Sequence, residues 1–284
     1  MLLDVPYSQP PVPLRSLDLY APQDNAPGTP PPLFVFVHGG AWRSGDKHEL
    51  DALAQGVVKR TGFAVALPNY RLSPREPTPG RDLYHPAHCE DILEALEALY
   101  KYELPVENIR DLYDASQIHL GGHSCGAHML SSIFLDSSAV TPSLRPSDGL
   151  LSSVQSITVS EGLYDLDLLL NTFPGYRDFV SGAFGDLASY KQFSTTGYKE
   201  LKAGIRWLVI HSKGDELVDM AQSWAIYEAL TSRGARVVRE FERLDGKHND
   251  VFGEAEYTQI IGFRRDVGSS INRQDQAREV SVQG

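Results

Sequence analysis

From Leu33 onward, short apolar runs rich in β-forming residues alternate with longer segments of helical periodicity. Strands that are buried on both faces read as continuous apolar runs, and the segments between parallel strands must be long enough to cross back over the sheet. The alternation therefore predicts an α/β fold, in which helices cover both faces of a mostly parallel sheet. The predicted strands are Leu33–Val37, Phe63–Leu67, Gln117–Leu120, Val154–Val159, Arg206–His211 and Arg236–Phe241.

Two of the intervening segments have the apolar spacing of an amphipathic helix. In the segment 87–100, Ile92, Leu96 and Leu99 fall on one face, and acidic residues occupy other positions. The segment 220–232 has the same pattern. Because a helix that packs on a sheet buries only one stripe of its surface, both segments are predicted to be helices of the outer layers.

Three segments depart from the alternation and set the predicted domain organisation. Residues 1–32 contain nine prolines and are predicted to form an arm, with one edge strand around 15–20. Residues 33–268 are predicted to form the α/β domain, and its segment from about 164–198 is aromatic and broken by glycine and proline. We expect this segment to cap one end of the sheet. The polar tail at 269–284 lacks periodicity and is expected to be disordered.

The charge and cysteine content exclude several classes of function. The chain has 284 residues with 26 Lys and Arg against 37 Asp and Glu, which gives a formal net charge of −11. No basic run interrupts this acidic balance, and a nucleic-acid partner is excluded because contacts to phosphate require Lys and Arg. Cys89 and Cys125 are the only cysteines, so the sequence predicts neither a disulfide framework nor a CxxC zinc site.

The N-terminal sequence carries no recognisable targeting signal. Its apolar residues have no basic region before them and are interrupted by Asp4, which argues against a signal or transit peptide. No run approaches the roughly 18 apolar residues that a membrane span needs. We therefore expect a cytoplasmic protein that acts on a small-molecule substrate without a membrane. The sequence does not fix the oligomeric state, and a homodimer is compatible with it.

The strongest local signal is the segment Gly122–Gly126, which reads GHSCG. It follows a predicted strand and precedes a predicted helix that starts near Ala127. A GxSxG sequence in this position is typical of a sharp turn that exposes the hydroxyl of its serine at the edge of a sheet. The sequence therefore predicts Ser124 as a nucleophile, and the backbone N–H of Cys125 would face the charge that develops on an attacked carbonyl.

A serine hydroxyl needs a base to remove its proton, so a histidine must accompany Ser124. In α/β hydrolases the nucleophile precedes the acid, and the acid precedes the histidine. Only His211 and His248 lie far enough after Ser124, and His248 follows the last predicted strand. The preferred acid is Asp215, because Gly214 lets the chain turn directly after the preceding strand. The alternative acids are Asp219, Asp245 and Asp250.

The segment His38–Trp42, which reads HGGAW, follows the first strand of the predicted domain. Adjacent glycines let backbone N–H groups approach a ligand closely, so Gly39 and Gly40 are predicted to complete an oxyanion hole with Cys125. His38 is expected to be structural. Trp42 is equally compatible with a ligand platform and with packing of the loop.

A metal site was considered at His85, His88 and Cys89. These residues lack the HExxH spacing, and they surround Pro86 at the start of a predicted helix. We therefore interpret them as a solvated helix start. The chain also lacks a GxGxxG or a P-loop sequence, so no nucleotide site is predicted.

Taken together, these segments resemble the fungal kynurenine formamidases (arylformamidases), which have the α/β-hydrolase fold and are close to the hormone-sensitive-lipase group. The resemblance covers roughly residues 33–255. Three of its segments, at 38–42, 69–74 and 122–127, are shared with many esterases. The matching segments are HGGAW at 38–42, NYRLSP at 69–74, GHSCGA at 122–127, EGLYDL at 161–166, PGY at 174–176, HSKGDEL at 211–217 and HNDV at 248–251.

The resemblance implies hydrolysis of N-formyl-L-kynurenine to L-kynurenine and formate in tryptophan catabolism, without a cofactor or metal. It also implies that Ser124 is the nucleophile, Asp215 the acid and His248 the base. An aromatic, zwitterionic substrate would favour a flat apolar wall and a cationic contact. The candidates for these substrate contacts are Trp42, Tyr70 and Tyr164 for the wall and Arg71 for the carboxylate.

Two other functions remain open at this stage. A carboxylesterase that cleaves short-chain esters would use the same triad. A non-catalytic member of the fold that binds a small molecule would usually have lost a triad residue, whereas this chain retains all three.

Overall fold

The computed structural model describes residues 1–23, 28–76 and 83–262, so the predicted tail at 269–284 lies outside the described residues. The strands are β1 (Leu2–Pro6), β2 (Ser16–Tyr20), β3 (Pro32–Val37), β4 (Ala64–Pro68), β5 (Asp114–His123), β6 (Val154–Ser160), β7 (Arg206–Ile210) and β8 (Arg236–Glu240). Within the described residues they form one sheet in the order β1-β2-β4-β3-β5-β6-β7-β8. The strands β3 to β8 run parallel to one another. The strand β1 is antiparallel to β2, and β2 is antiparallel to β4.

Helices cover both faces of this sheet. They are α1 (Asp51–Thr61), α2 (Ala87–Lys101), α3 (Cys125–Phe134), α4 (Asp148–Ser153), α5 (Leu166–Thr172), α6 (Arg177–Phe184), α7 (Met220–Ser232) and α8 (Ala255–Gly262). The two helices predicted at 87–100 and 220–232 correspond to α2 and α7. Among the described helices, none is both long and apolar enough to cross a membrane.

The inner parallel strands β3, β4, β6 and β7 are buried on both faces, which explains their largely apolar sequences. On β3, Leu33, Val35 and Val37 face the larger core cluster, which also contains residues of α2, α3 and α7. The alternate residues Phe34 and Phe36 face the smaller cluster with α1 and α8. This alternation follows from the two-residue period of a strand. The predicted α/β fold, with its mostly parallel sheet between two helical layers, is therefore confirmed.

The proline-rich N-terminal segment contains two strands, whereas the sequence predicts one. The strand β1 was not predicted because Asp4 interrupts its apolar residues. Asp4 has a positive φ of 55°, and the pairing with β2 changes register between Leu2 and Val5. Irregular pairing and terminal proline are tolerated at the edge of a sheet. The strand predicted around 15–20 is therefore present as β2, but it lies between β1 and β4, and β1 is the edge strand.

The segment predicted as a cap contains α5, α6 and three short 3-10 helices. It contacts the loops that follow β3 and β7. The guanidinium of Arg43 lies 2.5 Å from the carboxylate of Asp178 on α6, and the hydroxyl of Tyr176 donates to the carbonyl of Leu217 over 3.0 Å. The segment therefore covers the edge of the sheet at which the parallel strands end.

The start of α2 is buried, so its interpretation as a solvated helix start is wrong. His88 and Cys89 have no exposed surface, and His85 is only 9% exposed. The ring of His85 lies 4.9 Å from that of Phe184 on α6 and 5.8 Å from that of His128 on α3. Sequence periodicity placed these residues on a helix, but it could not show that the cap segment packs over the end of that helix.

Candidate active site

Ser124 lies at the turn between β5 and α3, with φ 55° and ψ −123°. A residue other than glycine adopts this conformation only where its surroundings hold it. A Cβ atom on Gly122 would lie 2.7 Å from the carbonyl oxygen of Gly126, and one on Gly126 would collide with the carbonyl of Val37. The two glycines of the GxSxG segment therefore make this sharp turn sterically feasible, as the sequence predicts. The helix begins at Cys125, two residues before the predicted start.

His248 and Asp215 lie together although 33 positions separate them in the chain. The Nδ1 atom of His248 is 2.8 Å from the Oδ2 atom of Asp215. The backbone N–H groups of Leu217 and Val218 donate to Oδ1 of the same carboxylate over 2.8 and 2.9 Å. This pairing orients the imidazole so that its other nitrogen, Nε2, remains available for proton transfer.

The electrostatics of this pair favour a charged acid. Burial alone would raise the pKa of the Asp215 carboxyl, but the hydrogen bonds from His248 and from the two N–H groups lower the pKa below its usual value. Asp215 therefore carries a negative charge at neutral pH, and a carboxylate at Nδ1 stabilises an imidazolium at His248.

The alternative acids have other positions or partners. Asp219 accepts a hydrogen bond from the hydroxyl of Thr172 over 2.7 Å. Asp245 is 77% exposed in its side chain and pairs with Lys213. Asp250 precedes the short 3-10 helix at 251–253. Among the described residues, the carboxylate hydrogen-bonded to the His248 ring is that of Asp215.

Ser124 and His248 are both shielded at the same edge of the sheet. The residue before Ser124 is His123, and its ring centroid is 4.5 Å from that of His248. Ser124 is 6% exposed and His248 4% exposed. A reaction at this point would therefore take place with little bulk water around the reacting groups.

The loop of Gly39 and Gly40 lies directly beside Ser124. A Cβ atom on Gly39 would be 2.9 Å from the Cβ atom of Ser124. The hydroxyl of Tyr70 donates to the carbonyl of Gly39 over 3.0 Å, and the carbonyl of Gly40 accepts from the N–H of Ser44 over 3.0 Å.

Each carbonyl shares a rigid peptide plane with the N–H of the next residue, so these bonds fix the directions of the N–H groups of Gly40 and Ala41. The N–H groups of Gly39 and Gly40 donate to no acceptor within the described part of the chain. The N–H of Cys125 lies in the first turn of α3, where amides lack partners within the helix. These three groups are therefore free to bind an oxyanion.

The four predicted substrate contacts are more buried or more engaged than a pocket wall would be. Tyr70 has no exposed surface, and its ring stacks on that of His38 at 4.4 Å. Arg71 donates through Nε and through an Nη atom to the carboxylate of Asp91, both over 2.8 Å. Tyr70 thus supports the glycine loop and Arg71 holds a buried acid, and the structure argues against both as substrate contacts.

Trp42 and Tyr164 also have no exposed surface, but each keeps an unpaired polar atom. The ring of Trp42 lies 5.0 Å from that of Phe184 and 5.3 Å from that of His128. Its Nε1 atom and the hydroxyl of Tyr164 have no hydrogen-bond partner within the described residues. The packing alternative therefore describes Trp42 better than an open platform does, although its indole N–H is not engaged by the protein.

Three further residues line this site: Glu161 and His123, which were not singled out from the sequence, and His211, which was weighed there as the base. Glu161 follows β6 and has no exposed surface; its Oε1 atom accepts the N–H of Ser212 over 2.9 Å. Its Oε2 atom lies 3.3 Å from Nδ1 of His123. The sequence signal for Glu161 was its position at the carboxyl end of the strand next to β5, where side chains of an α/β site collect.

The comparisons with known proteins agree with the fold. Residues 34–162 match the family Abhydrolase_3, described as having the alpha/beta hydrolase fold. Kynurenine formamidase from Eremothecium gossypii is 30% identical over 237 residues, which cover 78% of this chain and 88% of the relative. Kynurenine formamidase from Meyerozyma guilliermondii is 26% identical, with 80% and 82% covered.

Esterases are also similar to this chain. Esterase LipQ from Mycobacterium tuberculosis is 29% identical over 82% of this chain and 53% of the relative. The structure of esterase B from Lactobacillus rhamnosis superposes with a TM-score of 0.71 at 20% identity, over 97% of this chain and 88% of the esterase. The esterase structure supports the fold alone. The kynurenine formamidase from Eremothecium gossypii, at 30% identity, shows the family. The chain is a hydrolase of the α/β-hydrolase fold and belongs to the kynurenine formamidase family.

Proposed function

We propose that this chain hydrolyses N-formyl-L-kynurenine to L-kynurenine and formate in tryptophan catabolism, with Ser124, His248 and Asp215 as its catalytic triad. The observation that carries the proposal is the 2.8 Å pair of His248 and Asp215 beside the Ser124 turn, in a chain related to kynurenine formamidases over most of its length. The proposal includes a cytoplasmic location, and no partner other than substrate is required.

In the first half of the reaction, the Oγ atom of Ser124 attacks the carbonyl carbon of the formyl group while Nε2 of His248 takes the hydroxyl proton. The carbonyl oxygen becomes an oxyanion, which the N–H groups of Gly39, Gly40 and Cys125 stabilise. The imidazolium then donates its proton to the aryl nitrogen as the C–N bond breaks. L-Kynurenine leaves, and the formyl group remains as an ester of Ser124.

In the second half, a water molecule attacks the formyl ester. His248 takes a proton from this water, the same N–H groups bind the second oxyanion, and the proton returns to Oγ of Ser124 as the ester bond breaks. Formate leaves and the free enzyme is restored. Asp215 keeps its negative charge throughout and stabilises the imidazolium in both halves.

The burial of the site suits a small acyl group. A formyl group carries only a hydrogen atom on its carbonyl carbon, so it needs little space between the glycine loop and Ser124. The indole N–H of Trp42 and the hydroxyl of Tyr164 are buried polar groups that lack protein partners among the described residues. An unpaired buried polar group is costly, and we propose that substrate hydrogen-bonds to these two.

The test is the release of L-kynurenine from N-formyl-L-kynurenine, followed by absorbance, for the purified protein and for Ser124→Ala. We expect the variant to lose at least about 10³-fold in kcat, because the nucleophile of a triad is indispensable. A panel of p-nitrophenyl esters is measured in parallel, since kcat/KM for formamide against ester compares the two substrate classes directly. The proposal fails if Ser124→Ala keeps the wild-type rate or if the formamide is not cleaved.

A second candidate function is a carboxylesterase, which the similarity to esterase LipQ favours. Cleavage of the esters without cleavage of the formamide would establish it and leave the triad intact. If neither class is cleaved, a non-catalytic binding protein is the remaining function, and binding of L-kynurenine by calorimetry would then replace the rate measurement.

A further inference from the structure

Glu161 is a buried carboxylate that the triad mechanism does not use. It has no exposed surface, and no lysine or arginine of the described residues pairs with it. Its Oε1 atom accepts the N–H of Ser212 over 2.9 Å, whereas its Oε2 atom has no hydrogen-bond partner among those residues. A carboxylate in the interior without a permanent cation beside it is costly, so its position calls for an explanation.

The backbone holds Glu161 firmly in this position. Its φ of 48° is in the left-handed region, which a residue with a side chain rarely adopts without support. The support comes from its N–H, which donates to the carbonyl of Ile210 over 3.1 Å, and from the bond between its carboxylate and Ser212. Strain of this kind is often retained at functional sites.

Titratable groups face Glu161 from each neighbouring element. His123 ends β5, and its Nδ1 atom is 3.3 Å from Oε2. From β6, the hydroxyl of Ser160 bonds to that of Tyr257 on α8 over 2.7 Å. The other groups that interact electrostatically with Glu161 are His211, Asp215 and His248 on the loops after β7 and β8, and Tyr164.

Among these groups no permanent cation is present. Burial lowers the pKa of His123 far below its usual value and lowers the pKa of His211 as well, so both imidazoles are neutral at pH 7. The positive charge that can form beside Glu161 is therefore the imidazolium of His248 during the reaction. The ring of His123 contacts both groups: its Nδ1 atom is 3.3 Å from Oε2 of Glu161, and its centroid is 4.5 Å from that of the His248 ring.

We propose that Glu161 is a second carboxylate of the active site, which acts together with Asp215 to stabilise the imidazolium of His248 and which reaches that site through the ring of His123. This inference rests on the proposed function, because it requires His248 to gain a proton during the reaction. Glu161 touches no substrate and acts through His123 and His248, so it is a positioning residue. In a buried site the attraction between a carboxylate and an imidazolium is much stronger than in water.

The proposal has a specific consequence for pH dependence. Burial raises the pKa of Glu161 to about 7. Below that pH the carboxyl is protonated and neutral, and its stabilisation of the imidazolium is lost; above that pH the carboxylate is charged and the stabilisation is present. A purely structural hydrogen bond to Ser212 would not change the rate in this way.

The experiment compares kcat of the wild type with kcat of Glu161→Gln from about pH 5.5 to about pH 8.5, a range that brackets the raised pKa of a buried carboxyl. The substitution keeps the shape and an acceptor for Ser212 but removes the charge. We expect the ratio of wild-type to variant kcat to rise from about 1 at the acid end to roughly 10 at the alkaline end, with its midpoint near pH 7. A ratio that does not change with pH overturns the proposal.

Two further variants complete the experiment. Glu200→Gln removes another carboxyl whose pKa burial raises, on the segment that bridges to Leu135, and it is expected to leave the ratio at 1 throughout. Glu161→Asp keeps the charge and should recover part of the alkaline rate. If Glu161→Gln does not fold, Glu161→Asp decides, because its shorter carboxylate gives a smaller but still pH-dependent ratio, and a flat ratio overturns the proposal.

The failure of this inference is distinguishable from the failure of the proposed function. The ratio can be measured with the formamide or with a p-nitrophenyl ester, because both need proton transfer at His248. If the wild type cleaves esters alone, the substrate assignment fails while the role of Glu161 is still tested. If the wild type cleaves its substrate and the ratio is flat, only the role of Glu161 fails.

Discussion

Two groups of buried histidines can be compared, and within the described part of the chain only one of them has carboxylates beside its rings. The edge histidines, His123, His211 and His248, surround Asp215 and Glu161 where the parallel strands end. The cap histidines are His85 and His128, whose rings lie beside Phe184 on α6, and His88, whose ring lies beside that of Tyr70. Among the described residues, their recorded polar partners are a thiol, two hydroxyls and a backbone carbonyl. These partners are Cys89, Ser73, Ser132 and Phe193.

The difference between the groups explains which histidine can act as a base. Burial lowers the pKa of His88 to about 3 and that of His128 to about 4. Without a carboxylate, burial keeps these imidazoles neutral at any pH near 7, and they cannot take up a proton during a reaction. His248 is equally buried, but Asp215 compensates the charge it would gain. The lesson is that burial alone does not identify a base, and that a carboxylate hydrogen-bonded to the imidazole, as Asp215 is to His248, distinguishes the base from a packing residue.

The largest expected effect distinguishes one histidine of each group. His248→Gln should lower kcat by about 10⁵- to 10⁶-fold, because the base of a triad is removed. His88→Gln, a matched change in the cap group, should alter kcat by less than about threefold, because His88 takes no part in proton transfer. Steady-state kinetics with circular dichroism as a check of folding measures both. Equal losses in the two variants would remove the distinction.

The next effect tests the carboxylate of the edge group. Asp215→Asn preserves the size of the side chain but removes the charge that stabilises the imidazolium, and we expect kcat to fall by about 10⁴-fold. The KM should change far less, because Asp215 does not touch the substrate. Asp245→Asn is the control, since that side chain is 77% exposed. A variant of Asp215 with a rate near that of the wild type would contradict the assignment.

A third prediction concerns Asp91, a buried acid on the same helix as His88. Arg71 and Arg15 hold it in ion pairs, so it does not serve the cap histidines. Arg71→Ala should lower the free energy of unfolding by about 1–2 kcal/mol, less than for a fully buried pair because the Arg71 side chain is 37% exposed. Denaturant unfolding measures this loss. The KM for the formamide should stay within about threefold of the wild type, and a larger increase would restore Arg71 as a substrate contact.

The last prediction concerns the pH dependence of stability. In the unfolded chain an imidazole binds a proton near pH 6.5, whereas folded His88 binds one only near pH 3. Between these values the unfolded state holds more protons, so the free energy of unfolding falls as the pH is lowered. His88→Gln should reduce this slope by up to about 1.4 kcal/mol per pH unit between about pH 6 and pH 4. Denaturant unfolding at several pH values measures the slope, and an unchanged slope would show that His88 is protonated when folded.

Local sequence signals predicted much of the fold and the arrangement of the triad residues along the chain. Short runs rich in apolar, β-forming residues predicted six of the strands, because the inner strands of a parallel sheet are buried on both faces. The GxSxG segment predicted the Ser124 turn, because a side chain at Gly122 or Gly126 would collide with nearby backbone atoms. The strand β1 escaped detection, because edge pairing tolerates the polar Asp4 and a change of register.

Long-range contacts could not be predicted in the same way. Tyr70 and Arg71 are residue types that often contact substrates. In the structure, however, Tyr70 supports a carbonyl of the glycine loop and Arg71 binds Asp91. No residue of the proposed triad is close to Glu161 in the sequence. Its relation to His123 arises because β5 and β6 are neighbours in the sheet, and neighbouring strand ends bring distant residues together.

The sequence by itself determined the alternation of strands and helices, the position of the nucleophile turn and the chain order of Ser124, Asp215 and His248. These features depend on local periodicity, on glycine sterics and on the order of loops along one edge of a sheet. Only the tertiary structure decided which carboxylate meets which imidazole, and which polar side chains are buried. Those outcomes depend on packing between segments that are far apart in the chain, and a residue's charge state follows from the neighbours that packing gives it.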